Sequence, residues 1–285
     1  MGLSEYLSLP FAQHALIAGT LIAVTCGLIG PFVVMRQMAF AVHGAAELSF
    51  TGAAAGLVVA SNPVAGALVG SVAVAGILGV MGDRPRERDS SIGVVLAAGL
   101  GLGVLLLSRY NGFAAAATNI LFGDIFGIST SQVILLVGLA LGVTLVMGVI
   151  YRPLLFASVD PELAAARGVP TRLLGVVFLM VLAITVTEAA QVVGTLLVLS
   201  LAITPAAAAQ RLATAPLTVT ITSVVLALVA TDGGLLLSLS GTTIPPTVFV
   251  TGISFGLYLV ARLVGPGLSR RRHRRLALIR SVGVA

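Results

Sequence analysis

Lysine is absent from this 285-residue chain, as is tryptophan, and there is a single cysteine. The missing lysine excludes most. A Walker A loop sets its Lys on the nucleotide phosphates, so none exists here, and any ATP that drives this protein is hydrolysed by another chain. With only Cys26, an internal disulfide is excluded and the redox compartment is not encoded. Charge is scarce: 9% of residues are charged against 58% hydrophobic, with a mean hydropathy of +1.12. No soluble domain has that balance, so the chain reads as a polytopic membrane protein. Its three histidines, His14, His43 and His273, form no HExxH, which argues against an intramembrane metallohydrolase. The start, MGLSEYLSLPF, lacks a basic n-region and a clear cleavage site, so the first span is expected to be retained.

What is present is long apolar runs. They predict spans over 14–35, 39–60, 64–81, 91–108, 132–151, 173–187, 192–209, 217–238 and 248–264. The expected fold class is all-α, with about nine transmembrane helices, or eight if a short one is re-entrant. The net charge of +6 comes from arginine alone. Arg84, Arg86 and Arg88 are expected in one loop, Arg152, Arg167 and Arg172 in another, and Arg270 to Arg275 in the tail. Nine spans put these clusters, with Arg36 and Arg211, on one side, and only Arg109 among these arginines falls opposite. By the positive-inside rule that side is cytoplasmic and the N-terminus lies outside. The expected division is a transmembrane domain, 1–268, and a basic cytoplasmic tail, 269–285. The tail's SRRRHRRLALIR suits anionic lipid; it has neither the aromatic interleaving nor a folded module for nucleic acid.

The stretch RQMAFAVHGAAELSFTGAAAG, 36–56, puts two ionisable groups inside a span. His43 and Glu47 are four apart and share a helix face. Glu47 lies about 12 Å from Ala39 at ~1.5 Å per residue, too deep to snorkel easily. A carboxylate at that depth costs on the order of 2.5–3.5 kcal/mol. Two readings stand. The pair is polar glue between helices, or it lines a path, as ionisable residues at this depth commonly do. An imidazole and a carboxylate one turn apart make half of a site for a divalent transition metal.

Elsewhere the signals are mostly structural. Glycines four apart, Gly52 and Gly56, Gly66 and Gly70, Gly138 and Gly142, predict close helix packing. GLGLG, 99–103, lies within an apolar span and is no phosphate loop. Residues 119–128 read as a short re-entrant or interfacial helix, with Asp124 a cap or turn residue. Glu188 and Gln191 are expected at an outer turn, with Glu188 solvated. Pro205 kinks its span. Gly233 and Gly234 after Asp232 read as a broken helix end. In SVDPELAAARGVPTR, 158–172, Asp160 is an N-cap, Pro161 suits the first helical position and Glu162 complements the dipole. Gly168 then ends the helix, and the segment through Arg167 is a short capped helix, either a connector or a piece that docks on another protein.

Five segments resemble the metal-ion class of ABC transporter permeases: RQMAFAVHGAAELSFTG at 36–52, DSSIGVVLAAGLGLGVLLL at 89–107, NILFGDIFGIS at 119–129, FASVDPELAAARGVP at 156–170 and QVVGTLLVLSLAITPAAAAQRL at 191–212. The resemblance implies a non-enzymatic transport subunit of the bacterial plasma membrane. Such permeases work as a homodimer on two ATPase subunits, fed by an extracytoplasmic metal-binding protein. It implies that the segment Asp160, Pro161, Glu162, Arg167 and Gly168 docks on the ATPase. It also implies an ion path at His43 and Glu47, with no permanently bound cofactor and Zn2+ or Mn2+ as cargo, zinc first. The family usually has Asp and then His at these two positions; here the ligand types are kept and their places exchanged. The alternatives are a metal-chelate or cobalamin permease, a secondary transporter and a non-transporting membrane scaffold.

Overall fold

The computed structural model describes residues 8–80, 85–110, 123–195, 198–240 and 244–282, and every regular element among them is an α-helix. In chain order these are α1 (Pro10–Met35), α2 (Ala39–Ala60), α3 (Pro63–Val80), α4 (Pro85–Leu107), α5 (Thr130–Val159), α6 (Pro161–Ala166), α7 (Thr171–Val193), α8 (Val198–Leu212), α9 (Pro216–Leu239) and α10 (Pro246–Val282). Helices are what an apolar chain must form in hydrocarbon, where each N–H and C=O needs a partner within its own segment. Six are long and apolar enough to cross a membrane: α1, α2, α5, α7, α9 and the Pro246–Gly265 part of α10. Shorter apolar stretches lie at Pro63–Ala73, Leu96–Leu107 and Val198–Leu212, where the sequence predicts the third, fourth and seventh spans.

α1 and α7 are the interior helices, each 67% buried over its apolar window, whereas α5 and α10 are 28% and 22% buried and form the outside. α2 lies against α3, α4 and α7, while α9 packs on α1 and α10. Side-chain contacts mark the two ends of the bundle. At one, the Arg36 guanidinium lies 5.6 Å from the centre of the Phe178 ring, and Phe32 meets Tyr151 edge to face at 5.3 Å. At the other, Phe11 meets Phe126 at 5.8 Å and His14 Nδ1 lies 3.2 Å from the Ile128 carbonyl oxygen.

The α2–α3 seam is made by glycine. A Cβ on Gly52 would overlap the Gly66 carbonyl oxygen, and one on Gly66 would overlap that of Gly52. Among the described residues nothing stands within 4 Å of where a Cβ would sit on Gly138 or Gly142, so that pair forms no seam with any of them. The spacing is the same; the partner is what differs.

The structure moves several boundaries. α7 runs unbroken through Glu188 and Gln191 to Val193, so no outer turn exists there. The break falls at Gly194, whose φ of +93° suits a residue without a Cβ. α9 continues through Asp232, Gly233 and Gly234 to Leu239, so that helix is not broken. α5 extends past Tyr151 through Arg152 and Pro153, placing Arg152 in a helix rather than a loop. Its start is the capping box Ser129–Gln132, in which Gln132 Oε1 accepts the Ser129 N–H at 2.8 Å. α4 begins at Pro85, so Arg86 and Arg88 are helical, while Arg84 lies outside the described residues. Of the expected re-entrant helix, positions up to 122 lie outside the described residues and 123–129 are not helical, with a turn at 125–126; Asp124 Oδ1 accepts the Gly127 N–H at 3.0 Å.

Gly66→Ala should therefore destabilise the protein by about 1–3 kcal/mol through backbone overlap at the seam. Gly138→Ala should be neutral or stabilising by up to ~1 kcal/mol. Thermal unfolding of the two variants in detergent checks the contrast.

Candidate functional site

α2 starts after the short turn Arg36–Met38, where Gln37 takes a φ of +53° and the Met38 N–H returns to the Val33 carbonyl at 2.9 Å. The turn brings His43 and Glu47 into the bundle one and two turns beyond the Arg36 end. Gly56 is nine residues from Glu47, about 180° around the helix. With the glycine face against α3, the ionisable face points the opposite way. Thr51, one turn on, fixes this rotation by donating to the Gly99 carbonyl of α4 at 2.7 Å. Gly99 and Gly103 let α4 come that close: a Cβ on Gly99 would overlap the Leu48 side chain, and one on Gly103 would sit 2.7 Å from the Phe50 ring.

Glu47 is 7% exposed and His43 half-buried. Their inner atoms, Glu47 Oε2 and His43 Nδ1, are buried with no hydrogen-bond partner. A buried polar atom left so costs about 1–3 kcal/mol, and more when charged. The pair is therefore not glued to a neighbouring helix through these atoms. Among the described residues no group of three or more His, Cys, Asp or Glu side chains gathers to hold a metal. One chain thus offers two ligand atoms on adjacent turns, an incomplete set for any transition metal.

Two further acids lie inside helices. Glu188 is 1% exposed with Oε1 unpartnered, which corrects the expectation that it is solvated. Its neighbour Thr187 reaches the Ser71 hydroxyl of α3 at 2.7 Å. Asp232 accepts from the Thr20 hydroxyl of α1 at 3.1 Å. A hydropathy window breaks a span at Glu188; the cue that it lies inside one is the lack of Gly or Pro between Gly175 and Gly194. A separate cavity of about 260 Å³ lies on the other side of α2, between Ser49, Asp124, Gln132 and Thr195.

The short helix forms as the sequence predicts. Asp160 Oδ1 accepts the Leu163 N–H at 2.9 Å and Pro161 occupies the first turn. At the other end Val169 N–H bonds the Ala164 carbonyl and Gly168 N–H that of Ala165, both at 3.0 Å, with Gly168 at φ +81°. This is a Schellman closure. Ala164 is fully buried, while Glu162, Leu163 and Arg167 are exposed on a capped knob between α5 and α7.

The profile of the ABC 3 transport family matches residues 8–265. The chain belongs to that family. It is 29% identical over 194 residues to the manganese transport system membrane protein MntC of Halalkalibacterium halodurans, covering 68% of this chain and 66% of that one. It is 27% identical over 254 residues to the high-affinity zinc uptake system membrane protein ZnuB of Haemophilus influenzae, covering 87% and 96%. Its fold superposes on a chain of PsaBC from Streptococcus pneumoniae, solved in complex with Fab. The TM-score is 0.85 at 23% identity, over 95% of this chain and 98% of that one. For an ABC 3 chain the absence of lysine acquires a meaning, since it carries no nucleotide loop of its own.

Asp160→Ala should remove the N-cap bond and cost the α6 segment about 1 kcal/mol. Hydrogen exchange should then speed up at the Leu163 amide while the α7 amides stay protected.

Proposed function

We propose that this chain is the membrane-spanning permease subunit of an ATP-driven importer of a divalent transition-metal ion, zinc or manganese. The observation that carries this reading is the pair of buried ligand atoms without partners on the apolar helix α2, His43 Nδ1 and Glu47 Oε2. Membership of the ABC 3 family and the metals named for MntC and ZnuB support it. In this reading His43 and Glu47 meet the ion. Two ligands are too few for zinc, so a second copy supplies the same two across a twofold axis once α2 moves to uncover the buried atoms, His43 being already half-exposed. The resulting set of two imidazoles and two carboxylates suits tetrahedral zinc. Manganese takes more oxygen, which the carboxylates supply by binding through both oxygens or by retaining water.

The permease has nine spans, counting α3, α4 and α8, and the arginine-rich end carrying Arg36, Arg152 and α6 faces the cytoplasm. The N-terminus is then outside, and an extracytoplasmic binding protein delivers the ion at the end carrying Asp124. Hydrolysis takes place on a separate ATPase chain, which a lysine-free permease requires. The knob formed by Asp160, Pro161, Glu162, Arg167 and Gly168 is the contact through which that chain acts. Its caps make it rigid, and Leu163, 46% exposed, gives it an apolar tip. Exchanging His and carboxylate between the two positions preserves the ligand set, because ligands on adjacent turns of one face reach the same volume.

The double variant His43→Ala/Glu47→Ala should lose uptake of radioactive zinc and manganese to the level of cells lacking the chain. It should still co-purify with its ATPase in normal yield. Normal uptake by that variant removes the site assignment.

A further inference from the structure

On the outer side of the bundle, away from His43 and Glu47, α5 and α9 enclose a groove. α9 lines it with Leu217, Ile221 and Val225, four apart on one face and 61%, 56% and 50% exposed. α5 leaves the room: nothing lies within 4 Å of where a Cβ would stand on Gly148. The cavity between them holds about 660 Å³, with Leu28 of α1 as its floor. A second cavity of about 420 Å³ continues towards the end of α5. Both are bordered by the Tyr151 and Thr220 hydroxyls, 3.0 Å apart.

Among the described residues Arg152 is the sole charged one lining either cavity, and it is exposed. It stands 22 residues beyond Thr130, a rise of roughly 33 Å, close to one hydrocarbon thickness. The guanidinium therefore lies at headgroup depth when the start of α5 lies at the opposite surface. Below it the groove is apolar and open to the side of a spanning helix pair, where the surrounding solvent is acyl chain.

We propose that the α5–α9 groove is a binding seat for an anionic phospholipid, with an acyl chain laid past Gly148 against Leu217–Val225 and the phosphate on Arg152. The proposal needs the spans but not the transport reading. An arginine without an acid in the same lining attracts a net negative headgroup over a zwitterionic one, and this end of the bundle also carries Arg36 and Arg211. A second copy docked symmetrically on this face would present the same lining, bringing Arg152 towards its own equivalent with no carboxylate between them.

The lack of tryptophan makes the test direct. Val229→Trp, one turn past the deep end of the groove on the same face of α9, gives a single reporter. Leu263→Trp, on the exposed face of α10, gives a remote one. The full chain is reconstituted in vesicles of chain-brominated phosphatidylglycerol or phosphatidylcholine, and quenching yields the relative association constant of the two lipids. At the groove the anionic lipid should be preferred roughly five-fold, the effect of one arginine at a charged membrane surface. Arg152→Gln should abolish the preference, Arg152→Lys should retain it, and Gly148→Leu, which fills the groove without meeting backbone, should reduce quenching by both lipids. Equal quenching by the two lipids at the groove overturns the proposal. So does a preference untouched by Arg152→Gln, or one of equal size at the Leu263→Trp reporter.

Discussion

A carboxylate inside a transmembrane helix finds no donor in the backbone of its own helix. Hydroxyls find an acceptor there: Thr25 donates to the Ile22 carbonyl, Thr185 to that of Val181, Ser158 to that of Leu154 and Thr220 to that of Pro216, each within 3.1 Å. A carboxylate accepts only, and every N–H in a helix interior is already committed to a carbonyl. Its partner must come from a side chain one turn away, from another helix, from water or from an ion. Asp232 has found the Thr20 hydroxyl, but Glu47 and Glu188 each keep a buried oxygen without a donor. Ser223, Thr231 and Thr251 also have unpartnered hydroxyls, yet a neutral hydroxyl left alone costs less than a carboxylate. The uncompensated acids are thus the points where this fold gives up stability, and Glu47 shares its face with an imidazole in the same condition.

The rest of α2 holds that face in place. Two seams of small residues clamp the helix, Gly52 and Gly56 against α3 and Leu48 to Thr51 against Gly99 and Gly103 of α4. Without a hydrophobic driving force between helices, close backbone approach supplies the attraction, and only glycine permits it. Rotating α2 by the ~100° between successive residues would drive a side chain into one of these seams. The orientation of His43 and Glu47 is therefore set by residues with no ligand chemistry.

Much of this was readable from composition and spacing. The α2 span, its ionisable pair, the Gly52–Gly70 seam and both caps of α6 follow from residues that act locally. What was not legible depends on neighbours far along the chain. Glu188 reads as a helix end because polarity lowers a hydropathy window, yet its surroundings come from α1 and α3, more than a hundred residues upstream. Gly233 and Gly234 read as a break, but Gly234 serves a close approach to Val250 of α10 within an intact helix. Gly138 and Gly142 repeat the spacing of a seam and meet none of the described residues, since α5 lies at the edge. Arg152 reads as a loop residue because its charge ends the apolar window, although α5 simply runs on past the hydrocarbon.

The long α5 also bears on how the two halves of the proposed mechanism connect. α6 is anchored on α5 and α7 through the fully buried Ala164, and α7 in turn lies against α2, but on the side of Ser49 rather than that of Glu47. In the transport reading, a push on the knob arrives at the back of α2. Because the two seams prevent rotation, such a push moves the helix as a body and carries His43 and Glu47 together, towards or away from a second copy. A site divided between two copies is made and broken by such a movement, whereas one held in a single helix bundle would move intact. In that reading the incomplete ligand set and the rigid clamp on α2 are parts of one arrangement: a second copy completes the set, and movement of the clamped helix as a body makes and breaks it.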